Sequence, residues 1–189
     1  GFTRVTGVLI TSGLIVDINK TKENISIYSF TVWVFMLASV LGIFLFSKEL
    51  VWLVAPKAYS GAYILIPIIT ITYVFGIQSR FFVDILSVYK KTKLITLGVI
   101  LSASFNLILN LIFIPFFGAV GAALATAFSG VVAFIFYFIK CQKLIKIDFL
   151  INKMVINFIL ILIFVITVSY SSINDFVSIG NFILKISIY

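Results

Sequence analysis

The sequence contains no histidine and a single cysteine, Cys141. Without imidazole or a second thiol, neither a zinc site nor a Cys-His or Ser-His catalytic pair can be assembled, and no internal disulfide can form. Charge is scarce as well: 11% of the residues are charged, against about 25% in a soluble domain. Long polar loops are missing too, since no complete loop between apolar runs exceeds about fifteen residues. An integral-membrane polysaccharide polymerase or glycosyltransferase usually needs sizeable polar loops with acidic or histidine residues, so the chain is read as a non-enzyme. No group of residues points to a cofactor.

What is present is apolar: 62% of the 189 residues. Nothing in that composition can cover a water-facing surface, so the expected fold is an all-α, polytopic transmembrane helical bundle. The net charge of +8 does not point to nucleic acid. The basic residues cluster between apolar runs, which is how cytoplasmic loops of membrane proteins look.

Apolar runs separated by polar breaks place spans at about 28–47, 62–89, 94–115, 119–139 and 154–170, with a truncated sixth at 176–189. That is about five full spans. Residues 1–27 read as a membrane-proximal segment or the end of a preceding span, with 17–23 as the first clearly polar loop, and 28–189 as the bundle itself. The connector 48–61 contains Leu50–Val54, too short to cross, which suggests an interfacial or re-entrant turn with Trp52 at headgroup level. Lysine and arginine alternate between loops: ten in the odd-numbered loops and two in the even ones, which puts the odd loops in the cytoplasm. Gly1 stands first and 176–189 would supply only about 21 Å of helix, so the expectation is part of a longer protein.

Two groups of residues are candidates for a site. Asn106 and Asn110 lie four apart, on one face of a helix. They either line a cavity and bind a polar substrate or tie helices together. Arg80 and Asp84 form the one oppositely charged i,i+4 pair inside an apolar run. An ionisable group in a span is a functional candidate by default, and the alternative is an Arg80 that snorkels to the headgroups beside Asp84. Beyond Pro115, which should end one helix, Gly118 and Gly121 allow a tight reversal. Gly118, Ala122 and Thr126, and in parallel Ala119, Ala123 and Ala127, then give small-xxx-small faces for helix packing.

The stretch 106–126 reads N-x-x-L-N-x-x-x-I-P-x-x-G-x-x-G-A-A-x-A-T. It resembles the C-terminal half of the Wzx-type polysaccharide and O-antigen flippases, within the multidrug/oligosaccharidyl-lipid/polysaccharide exporter superfamily. The likeness covers roughly 28–150 and is carried by Asn106, Leu109, Asn110, Pro115, Gly118, Gly121, Ala122, Ala123, Ala125 and Thr126. It implies the second bundle of a two-bundle exporter in the bacterial cytoplasmic membrane, packed against the missing N-terminal bundle and surrounded by membrane lipids. It also implies a cargo, a polyprenyl-pyrophosphate-linked oligosaccharide. A multidrug cation exporter of the same superfamily is the alternative, and it should carry a membrane-buried carboxylate for its cation.

Overall fold

The computed structural model describes residues 17–54, 56 and 65–167. All regular structure among them is helical: α1 (Ile18–Leu45), α2 (Ser47–Val54), α3 (Leu65–Val88), α4 (Thr92–Leu144) and α5 (Ile151–Thr167). Three of these, α1, α3 and α4, are long and apolar enough to cross a membrane. Their outer faces carry large apolar side chains such as Phe35, Leu111 and Phe116, which suits lipid and not water. The expected segment 176–189, the end of the span placed at 154–170, most of 1–17 and much of the connector after Val54 lie outside the described residues.

The helix α1 starts ten residues before the span expected at 28–47. Asp17 caps it, its carboxylate accepting from the N–H groups of Asn19 and Lys20 at 3.0 and 3.1 Å. The polar residues 17–23 are therefore not a loop but the cap and opening turns of a helix that outruns the apolar stretch. Hydropathy marks where a helix can meet lipid, whereas a cap marks where it starts. A break at Phe46 separates α1 from α2, and Trp52, Leu53 and Val54 on α2 are largely exposed.

The helix α4 is a hairpin. Its geometry is helical throughout except at Gly118, where φ is 54° and ψ −130°, a region that essentially only glycine occupies. The two arms, 92–117 and 119–144, are each about 39 Å long at 1.5 Å per residue, enough for a core of about 30 Å. They run back along each other. The Tyr137 hydroxyl donates to the Ile95 carbonyl at 2.8 Å, and the Ser102 hydroxyl to the Ser129 carbonyl at 3.0 Å. Every such pair is centred close to Gly118. The first arm continues past Pro115, where a stop was expected. A proline loses its own N–H bond and crowds the carbonyl four residues back, yet the backbone stays helical to Phe117, and the reversal waits for the residue that can adopt positive φ.

Residues Gly1–Ile151 form one compact unit and Asn152–Tyr189 a second. In the first, α3 packs on the α4 hairpin and, less extensively, on α1. The seam holds a chain of aromatic rings: Trp33 against Phe75, Phe75 against Phe134, Phe134 against Phe82, and Phe82 against Phe149. Trp33 sits mid-span because it is a core residue, 4% exposed, and not an interface anchor. After α4 the chain runs extended. Ile145, Ile147 and Phe149 are buried while Lys146 and Asp148 face outward, the period-two alternation of a strand. This strap is fastened at both of its edges. The Gln142 side chain donates to the Ile147 carbonyl at 2.7 Å and accepts from the Ile147 N–H at 3.1 Å, and the Ser26 hydroxyl donates to the Asp148 carbonyl. Beneath it lie Phe82, Ile85, Leu86 and Cys141, none exposed. In the second unit, α5 is an apolar helix of 17 residues.

Candidate functional site

On α3, Tyr73, Gly76 and Arg80 recur at helical spacing on an exposed face. Its polar members do not suit lipid. The Arg80 side chain is 56% exposed and that of Asp84 11%, with Nε 3.4 Å from Oδ1. The second carboxylate oxygen, Oδ2, is buried and has no hydrogen-bond partner among the described residues. Asp84 thus depends on Arg80, while Arg80, turned outward, still presents guanidinium donors to whatever covers that face. Two residues before Arg80 the side chain of Gln78 points the other way, into the bundle, where it donates to the Ser29 hydroxyl of α1. That contact fastens α1 to α3 and takes Gln78 out of the exposed patch.

The amides are engaged inside the hairpin. Asn106 Nδ2 lies 3.3 Å from both the Thr126 and the Ser129 hydroxyl oxygens, and Asn110 Nδ2 lies 2.9 Å from Asn106 Oδ1. The orientation of each amide follows from its neighbour. The Thr126 hydroxyl donates to the Ala122 carbonyl and that of Ser129 to the Thr126 carbonyl, both at 2.9 Å. Each hydroxyl has one proton, so both can only accept from Asn106. Asn106 must then turn its NH2 to them and its oxygen to Asn110. Asn110 must answer with its own NH2, which leaves its Oδ1 as a buried acceptor with no partner among the described residues. This is the helix-tying geometry. Interhelical hydrogen bonds in membranes average about 0.6 kcal/mol, so the clamp sets the register of the arms more than it holds them together.

Closeness does the holding. A Cβ built on Gly121 would fall on the Phe113 carbonyl, and one on Gly98 would fall on the Tyr137 ring. Ala123 and Ala125 are buried, Ala122 is partly covered, and Thr126 is exposed. At Gly118 a Cβ would meet nothing within 4 Å. Its positive φ, and not close packing, is what requires glycine there. Gly98 and Ser129 carried no weight in the sequence reading. Their only signal is lying across the hairpin from their partners, and that pairing is visible only once the turn is placed.

The chain matches no family model, no curated protein and no solved structure.

Proposed function

We propose that this chain is part of a flippase, its second helical bundle, moving a polyprenyl-pyrophosphate-linked oligosaccharide from the cytoplasmic to the outer leaflet of the bacterial cytoplasmic membrane for surface polysaccharide synthesis. The observation that carries this reading is the 106–126 motif. Five of its ten positions form a register clamp (Asn106, Asn110, Thr126), a positive-φ turn (Gly118) and a backbone contact (Gly121), and all ten lie in one hairpin. Arg80 on the exposed face of α3 adds a fixed positive charge that suits a pyrophosphate. A multidrug cation exporter is less well served, because Asp84, the acid within α3, is paired with Arg80 and a cation would have to displace the guanidinium.

Cells lacking the full-length protein should lose surface glycan and accumulate lipid-linked oligosaccharide on the cytoplasmic leaflet, and the restored gene should reverse both. Normal glycan with a gain in drug sensitivity would select the cation exporter instead. The reading also fixes the orientation, with the basic loops inside. In a Cys141→Ser background, an impermeant maleimide added outside should label Phe116→Cys at the hairpin tip and leave Lys91→Cys unlabelled. The reverse pattern would overturn the orientation.

A further inference from the structure

Three basic segments far apart in sequence, 20–22, 90–93 and 140–146, adjoin a single hydrophobic cluster. That cluster takes Ile25 from the beginning of α1, Ile85 and Leu86 from the end of α3, and Cys141 and Ile145 from the end of α4, with Leu94 and Ile95 from the start of α4 packed against it. Each basic segment begins or ends within about a turn or so of a cluster residue, so all three lie at one end of the unit. That end carries eight lysines against three carboxylates, Asp17, Glu23 and Asp148. At the hairpin tip, 116–118 carries no charge.

The strap builds part of this face. By alternating, it plugs the end of the bundle with Ile145, Ile147 and Phe149 and turns Lys146 outward, three residues after the exposed Lys143. The turn between α3 and α4 builds another part. Lys90 takes positive φ (56°), and the Lys91 N–H closes the end of α3 on the Leu86 carbonyl at 2.8 Å. Glycine is the usual residue there, and here the site holds a lysine. Lys140 lies over the Phe136 ring at 5.4 Å, and Lys20, Lys90, Lys91, Lys93, Lys143 and Lys146 are exposed. The one ion pair among the described residues, Arg80–Asp84, uses none of these lysines.

We infer that this end of the first unit is a docking face for anionic phospholipid headgroups of the surrounding leaflet, assembled by the strap and the 90–93 turn. Clustered juxtamembrane lysines attract anionic lipid at about 1 kcal/mol each near the surface. A face drawn from three loops also ties α1, α3 and α4 to the same lipids, so binding should stabilise the folded unit.

The test uses purified full-length protein in neutral detergent. Thermal unfolding is followed with added phosphatidylglycerol or phosphatidylcholine, and Cys141 reactivity toward a maleimide reports whether the strap is seated. Phosphatidylglycerol should raise the midpoint by several degrees and phosphatidylcholine should not. Combining Lys90→Gln, Lys91→Gln, Lys93→Gln, Lys143→Gln and Lys146→Gln should remove the shift with Cys141 still protected, and the same five positions changed to arginine should keep it. Should the glutamine set unseat the strap, wild type in high salt decides. Screening must then abolish the shift while Cys141 stays protected. Equal shifts with both lipids, a shift that survives the glutamine set or high salt, or its loss in the arginine set would overturn the inference.

Discussion

Replacing Gly121 by valine will keep the α4 hairpin from closing, and the full-length variant will be recovered at a small fraction of wild-type abundance. A Cβ at this position falls on the carbonyl of Phe113 in the opposite arm. Backbone cannot swing aside as a side chain can, so the arms must separate along much of their length. Overpacking a closed core costs about 1–3 kcal/mol even where side chains give way, and here nothing flexible stands in the way. The loss would also unseat the Asn106 bonds to Thr126 and Ser129, which need the arms in contact. Gly98→Ala meets the Tyr137 ring instead, which can shift once it gives up its bond to the Ile95 carbonyl, so a milder loss is expected. Gly42→Ala is the control, since nothing lies within 4 Å of its Cβ position. Abundance and the midpoint of thermal unfolding in detergent should rank Gly121→Val well below Gly98→Ala and Gly42→Ala near wild type. A Gly121→Val protein with wild-type values would show that the arms do not meet there.

That ranking could not have been made from the sequence alone. The apolar runs, the reversal near Gly118 and the polar character of the first arm were legible, because each follows from composition or from one residue's backbone preference. The cap at Asp17 was equally present in the sequence and was outweighed by hydropathy, which locates lipid and not helix ends. The strap is written in the run Ile145-Lys-Ile-Asp-Phe149, a clean alternation, but five residues among the lysines of a basic loop read equally well as connector. What could not be read was pairing across the hairpin. Small-xxx-small spacing marks a face that can pack closely without saying which member touches what. Gly118 fits the spacing and serves the turn, whereas Gly121 and Gly98 make the contacts. For the site, the sequence offers the asparagines and the Arg80–Asp84 pair as two groups, each with a structural alternative. Geometry adds the partners: the amides spend their hydrogen bonds inside the hairpin, and the Arg80 side chain faces out.

Under the proposed flippase function, Arg80→Ala should lower export at least tenfold, about 1.4 kcal/mol or more in the step that would handle a pyrophosphate. The guanidinium is the one candidate on the exposed face of α3 that combines a permanent charge with a fork matched to phosphate oxygens. Its bond to Asp84, at 3.4 Å through Nε, is long enough to be exchanged for a ligand. Arg80→Lys keeps the charge without the fork and should retain part of the activity. Removing the arginine also strands Asp84, whose side chain is only 11% exposed and whose Oδ2 already lacks a partner among the described residues. A loss in the single variant therefore mixes two causes, an emptied site and an unpaired buried carboxylate. The double variant Arg80→Ala/Asp84→Asn separates them, because it removes the stranded charge and leaves the site empty. Surface glycan, measured at matched abundance in a flippase-deleted strain carrying the full-length variants, should stay low in the double variant. Recovery to wild-type glycan there would mean that the guanidinium serves only to neutralise Asp84 and reach the headgroups, and that Arg80 holds no pyrophosphate.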